Sequence, residues 1–219
     1  MKFTKNEIRS SMLLYAVTDR TWLKENESLV DVCKEVLENG ATFLQIREKD
    51  LNKSDFEVEA KNLKKLCEKY HVPFVVNDSV EIALAIDADG VHLGQSDIKG
   101  RNIRKLIGNE KILGISAGTV EEAIIAEKAG ADYIGVGAIF GTSTKKDART
   151  LSLEDLIEIK KSVSIPVVAI GGITAANISE LIGTNVDGVA VISAIFAEDN
   201  PGKATKNLLM LAKRVVNHE

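Results

Sequence analysis

The sequence predicts an α/β protein, a single (β/α)8 TIM-barrel domain spanning residues 1–219, and three observations carry that reading. Short β-rich runs alternate with longer amphipathic runs eight times along the chain, the pattern of parallel strands joined by right-handed crossovers. The strand entries repeat one theme: Ala-Asp-Gly-Val-His at 88–92, Ala-Asp-Tyr-Ile-Gly-Val-Gly at 131–137 and Val-Asp-Gly-Val-Ala-Val at 186–191. The length, 219 residues, suits one such barrel, whose lower limit is about 200 residues, and leaves little room for a second domain. An open doubly wound sheet is the main competitor. The count of eight and the repeated entries favour closure. No Gly-x-Gly-x-x-Gly follows the first strand, so a dinucleotide site is unsupported.

Taken in order, strands are expected near Leu13–Val17, Thr42–Arg47, Pro73–Asn77, Gly90–Leu93, Ile112–Ser116, Tyr133–Gly137, Val167–Gly171 and Gly188–Ile192. Helical patterns fill the intervals at Leu29–Glu38, Asp55–Tyr70, Val80–Ile86, Ile103–Ile107, Val120–Ala129, Leu153–Lys161 and Ala175–Ile182, with a last one from Ala204. The second is the clearest, with Phe56, Leu63, Leu66, Cys67 and Tyr70 on one stripe. Residues 4–9 are expected to add a short helix before the barrel.

Apolar residues make up 45% of the chain and charged residues 27%, enough for a large core. The net charge of −4 gives no field that would favour nucleic acid or a membrane surface, so phosphates would depend on local cations. The early apolar run Met12–Val17 stops at Thr18-Asp19-Arg20, which reads as a strand with a polar end rather than a signal peptide or a span. Cys33 and Cys67 lie in helical patterns with no CxxC or Cys/His cluster for zinc, and the cytoplasm is the expected compartment. No signal for an oligomeric state is legible.

Active sites in such barrels sit at the C-terminal ends of the strands. On strand two, alternation puts Gln45, Arg47 and Lys49 on the inner side and Leu44 and Ile46 outside. Inward cations need an anionic partner, whereas on a free sheet edge they would only reach water. Strand three ends in Asn77-Asp78 and strand four leads to Gln95-Ser96-Asp97. Two carboxylates on neighbouring strand ends suit Mg²⁺ with water and substrate phosphate, although Asp78 also stands where a helix cap would. His92 is the one plausible catalytic histidine, with a packed role the plainer alternative.

Small inner residues are expected on the later strands: Gly114 and Ser116, Gly135 and Gly137, Ala169 and Gly171, Gly188 and Ala190. They would leave either a cavity or a closely packed taper. The loop Gly141-Thr142-Ser143-Thr144-Lys145-Lys146-Asp147 suits a lid bearing a lysine, or simply a solvated loop. Gly171-Gly172-Ile173-Thr174 and Ile192-Ser193-Ala194-Ile195 follow strands seven and eight, the usual barrel phosphate site. Two phosphate sites on one mouth suggest two phosphorylated substrates joined together, or one bisphosphate.

Together with these motifs, Leu14-Tyr15-Ala16-Val17-Thr18-Asp19, Gln45-Ile46-Arg47-Glu48-Lys49, Val76-Asn77-Asp78, His92-Leu93-Gly94-Gln95-Ser96-Asp97 and Ile170-Gly171-Gly172-Ile173 make the chain resemble the thiamine-phosphate synthase family over nearly its whole length. That family is a group of transferases in thiamine biosynthesis. They join hydroxymethylpyrimidine diphosphate to a thiazole phosphate (or its carboxylated tautomer), releasing pyrophosphate. The resemblance implies that Gln45, Arg47, Lys49, Asn77, Ser116 and Lys145 hold the pyrimidine diphosphate, with Arg47, Lys49, Ser116 and Lys145 at the chemistry. It implies Mg²⁺ on Asp78 and Asp97, and the thiazole phosphate on Thr142, Ser143, Thr144, Gly172, Ile192 and Ser193. Two positions depart from the family pattern. Ser116-Ala117-Gly118-Thr119 has Gly118 where a histidine is expected, and Gly141 stands in place of a proline. The rivals are a thiazole tautomerase of the same superfamily, which typically lacks the cations or the carboxylate pair, and a noncatalytic phosphate-binding barrel.

Overall fold

The structure, a computed structural model, describes residues 2–141 and 150–217. Eight strands form a closed barrel in chain order: β1 (Leu14–Val17), β2 (Phe43–Ile46), β3 (Phe74–Asn77), β4 (Gly90–Leu93), β5 (Ile112–Ala117), β6 (Tyr133–Val136), β7 (Val167–Ile170) and β8 (Gly188–Val191). Each pairs parallel with the next, and β8 returns to β1 through Tyr15↔Ala190. Closure removes every sheet edge, so inward polar side chains must find partners inside the barrel.

The helices are α1 (Lys5–Ser11), α2 (Leu29–Glu38), α3 (Lys53–Tyr70), α4 (Val80–Ala85), α5 (Gln95–Ile98), α6 (Ile103–Ile107), α7 (Val120–Lys128), α8 (Leu153–Ser162), α9 (Ser193–Phe196) and α10 (Pro201–Asn217). Local chemistry sets their starts. Ser28, Asn52, Ser79, Asn102, Thr119 and Ser152 each accept a hydrogen bond from the third residue of the helix that follows. Pro201 occupies the first position of α10, where its missing N–H costs nothing, so this helix begins three residues before the expected Ala204.

There are two cores. Leu44, Ile46, Val76, Leu113 and their neighbours pack between barrel and helices. Tyr15, Phe43, Val75, Ile112, Tyr133 and Val168 fill the barrel interior, and Ile8 and Met12, at and just after α1, join them and close the end opposite the active mouth. The inner phase agrees with expectation on β2, β5 and β8 but not on β7. There Val168 and Ile170 face the interior cluster while Ala169 packs outward, in register with inward Gly135 through Gly135↔Val168. Val167-Val168-Ala169-Ile170 is apolar in both phases, as parallel strands buried on two faces are, so residue size pointed to the wrong parity.

A regular helix over Ala175–Ile182 is also absent. A single 3-10 turn, Ile178–Leu181, takes its place. Asn177 accounts for the loss: its Oδ1 accepts from Thr174 N–H (2.8 Å) and its Nδ2 donates to Gly172 O (2.9 Å), tying the segment back to the loop after β7.

Candidate active site

At the C-terminal mouth a cavity of about 610 Å³ opens, lined by residues from all eight strands or the loops after them. That volume suits a small-molecule site. Of the expected residues, Gln45, Arg47, Lys49, Asn77, Asp78, Ser116 and Ile192 line it. Asp97, Gly172 and Ser193 stand beside it: Gln95 and Ser96, Gly171, and Ile192, their chain neighbours, line the wall. Thr142, Ser143, Thr144 and Lys145, with the rest of the expected lid, lie outside the described residues.

The β2 end is held by two features. Arg47 N–H donates to Oγ1 of the fully buried Thr18 (3.0 Å). Glu48 turns away from the cavity, and its Oε2 accepts from Arg20 Nε (2.8 Å), with Glu59 on the same guanidinium. Burial pushes the Glu48 carboxyl above its usual range, opposed by the Arg20 guanidinium beside it. This anchor leaves half-buried Arg47 and exposed Lys49 on the cavity wall.

Asp78 follows β3 with φ of +60°, a conformation Asp tolerates better than most residues, and its N–H donates to His92 O (2.9 Å). Ser79, not Asp78, caps α4 through Ile82 N–H, so the cap reading of Asp78 falls away. Asp97 also serves the local fold, since its Oδ2 accepts from Gly94 N–H (2.8 Å) and closes the first turn of α5. No cluster of three or more His, Cys, Asp or Glu side chains suited to a metal exists among the described residues. Two carboxylates, Asp78 just after β3 and Asp97 in the first turn of α5 after β4, nevertheless fit a hard divalent ion that completes its shell with water and phosphate, and do not fit structural zinc.

The opposite wall has no cations among its described residues. Gly172 adopts φ of +66°, and a Cβ there would come within 2.5 Å of the carbonyl oxygens of Phe140 and Gly141. Only glycine lets these backbones approach so closely. No side chain caps α9, so its first N–H groups are left for solvent or a ligand.

Below the mouth a chain of hydrogen bonds crosses the barrel. Gln45 Nε2 donates to Tyr15 Oη (2.5 Å), Tyr15 Oη meets Tyr133 Oη (2.7 Å), Tyr133 Oη meets His92 Nδ1 (2.9 Å), and His92 Nε2 meets Ser116 Oγ (3.0 Å). Burial pushes both tyrosine hydroxyls well above their usual pKa range, so they keep their protons. Gly114 makes the room: a Cβ there would lie 2.2 Å from the Tyr133 ring and 2.6 Å from His92 Nδ1. Sequence patterning alone gives Tyr15 and Tyr133 no site role. Their place on the inner phase, with Gly114 and Gly135 clearing space around them, is the signal that could have found them.

A closed (β/α)8 barrel with a cation- and carboxylate-lined wall facing a neutral, glycine-lined loop wall is an enzyme scaffold for phosphorylated small molecules. The chain matches the thiamine monophosphate synthase family over residues 14–195 and belongs to it. It is 50% identical over 204 residues to the thiamine-phosphate synthase of Clostridium botulinum (strain Eklund 17B / Type B), covering 93% of this chain and 94% of that one. It is 52% identical over 184 residues to that of Clostridium acetobutylicum, covering 84% and 87%. The structure of thiamine phosphate pyrophosphorylase from Pyrococcus furiosus superposes with a TM-score of 0.87 at 43% identity, covering 95% of this chain and 99% of that one.

Proposed function

We propose that the protein joins hydroxymethylpyrimidine diphosphate to a thiazole phosphate, giving thiamine phosphate and pyrophosphate. The observation that carries this is the two-sided mouth: Arg47, Lys49 and Asp78 on one wall, and the Gly171 and Ile192 loops on the other. Family membership supports it.

In this reading Gln45, Asn77 and Ser116 orient the aminopyrimidine, and Arg47 and Lys49, with Lys145, bind its diphosphate. Gly172, Ile192 and Ser193, with Thr142, Ser143 and Thr144, take the thiazole phosphate. Asp78 and Asp97 would hold Mg²⁺, which when bound supplies charge that offsets the departing pyrophosphate. No general base is needed, because the thiazole nitrogen already carries a lone pair. The bond between the methylene carbon of the pyrimidine and the diphosphate oxygen breaks first, its electron pair leaving with pyrophosphate. The aminopyrimidine spreads the resulting positive charge over its ring nitrogens and amino group, and the thiazole nitrogen then bonds to the methylene carbon. The chain's contribution is then electrostatic support of the leaving group and positioning of the nucleophile.

The test supplies both substrates and Mg²⁺ and follows pyrophosphate release together with thiamine phosphate. Formation of both in equal amounts is expected. Absence of product, or isomerisation of the carboxylated thiazole alone, would contradict the reading.

A further inference from the structure

The hydrogen-bond chain beneath the mouth links two residues assigned above to the pyrimidine, and its ends cannot be set independently. Each hydroxyl in it gives one proton and each neutral imidazole holds one. Gln45 Nε2 donates to Tyr15, so the Tyr15 proton passes to Tyr133 Oη and the Tyr133 proton to His92 Nδ1. His92 must then carry its own proton on Nε2 and donate it to Ser116 Oγ. The hydroxyl proton of Ser116 is left to point into the cavity that Ser116 lines. At the other end Gln45 Oε1 accepts no hydrogen bond among the described residues, although Gln45 is only 4% exposed and also lines the cavity.

Running the chain the other way turns every element at once. The Gln45 amide would present its NH2 to the ligand, His92 would be protonated on Nδ1, and Ser116 would present lone pairs. A doubly protonated His92 does not fit while Gln45 Nε2 faces Tyr15. Tyr15 Oη would then receive two protons, and its own would have no acceptor in the chain.

We propose that Tyr15, Tyr133 and His92 form a proton-ordered relay that fixes the pyrimidine pocket as one acceptor, Gln45 Oε1, and one donor, Ser116 Oγ–H, and so selects an amino-substituted pyrimidine over its ring-carbonyl counterpart. These three are positioning residues, because they act through Gln45 and Ser116. An amino group beside a ring nitrogen presents a donor next to an acceptor and complements that pair. A ring carbonyl beside N–H presents the reverse and is accommodated only by inverting the whole relay or leaving buried groups unpaired.

The proposal rests on the pyrimidine reading above, and its first test does not involve turnover. Nitrogen-15 spectra of the ligand-free, full-length protein, with the His92 signals assigned through a His92→Asn variant, report which ring nitrogen bears the proton. The expected result is a single neutral form protonated on Nε2. Protonation on Nδ1, a doubly protonated ring at neutral pH or a rapidly averaging mixture overturns the relay, whether or not the enzyme condenses its substrates. Lack of condensation with an Nε2-protonated His92 would overturn the pyrimidine reading instead. The second test compares direct binding of hydroxymethylpyrimidine diphosphate with that of its analogue bearing a ring carbonyl in place of the amino group. The native protein should prefer the amino compound by about tenfold or more. Tyr133→Phe keeps the ring but cuts Gln45 off from His92, so the Gln45 amide can turn alone, and the preference should fall several-fold. An unchanged preference in that variant, or none in the native protein, contradicts the proposal.

Discussion

The β2–β4 wall and the β7–β8 wall of the same mouth differ in charge and in the kind of donor they present. The first presents charged side chains: Arg47 and Lys49, held by the Thr18 and Arg20–Glu48 anchors, beside Asp78 and Asp97. The second presents backbone, shaped by positive-φ Gly171 and Gly172 and by the uncapped start of α9. Charged side chains can follow a group whose charge grows as it departs, which suits a leaving pyrophosphate. Fixed backbone N–H groups hold a phosphate that takes no part in the chemistry and only has to stay in place.

Changes on the charged wall should therefore act on turnover and on binding of the diphosphate, and changes on the backbone wall on binding of the second substrate. The largest effect is expected from the metal. Excess chelator should abolish turnover, and Asp78→Ala should lower it by about 10²-fold or more, the scale of a weakened metal site. Full activity in chelator would remove the carboxylate pair from the account. Asp97→Ala should lower activity too, and also the melting temperature, because its Oδ2 holds Gly94 N–H. Losing that bond costs about 1 kcal/mol.

Next comes Arg47→Ala. A hydrogen bond to a charged group contributes about 1.5–3 kcal/mol, so affinity for the pyrimidine diphosphate should fall roughly 10- to 10²-fold. Gly172→Ala probes the opposite wall. Forcing alanine to φ of +66° against two carbonyl oxygens should cost on the order of 1–3 kcal/mol. It should show as weaker thiazole-phosphate binding and a lower melting temperature, with pyrimidine-diphosphate binding retained. A uniform loss of both ligands would mean that the two walls are not separate sites.

The two walls were not equally legible in the sequence. The charged wall could be read because Gln45-Ile46-Arg47-Glu48-Lys49 alternates polar and apolar, and period two alone then assigns the inner face. On β7 both phases are apolar, and the inner pair proved to be Val168 and Ile170 while Ala169 packs outward; Gly171 reaches the cavity from the loop that follows. The four-residue helix α5 is too short to show a period, and Ser193, which stands where the sequence allows a helix cap, is instead the first residue of α9, whose cap is Ile192. Tyr15 and Tyr133 are not legible as site residues in the sequence, because an inward tyrosine on an apolar strand looks like core. What they do depends on hydroxyls that meet only once the barrel closes, 118 residues apart in the chain.

The smallest expected effect is that of Ser193→Ala, which on the proposed reading removes one uncharged hydroxyl donor; at about 0.5–1.5 kcal/mol for an ordinary hydrogen bond, that is roughly a 2- to 10-fold loss. It also supplies half of the most direct test of the two-sided mouth. Calorimetric titration of hydroxymethylpyrimidine diphosphate and of thiazole phosphate, each alone with Mg²⁺, can be carried out on the native protein, Arg47→Ala and Ser193→Ala. The account predicts a crossed pattern: Arg47→Ala weakens only the diphosphate, and Ser193→Ala weakens chiefly the thiazole phosphate. Equal losses of both ligands in either variant would contradict it.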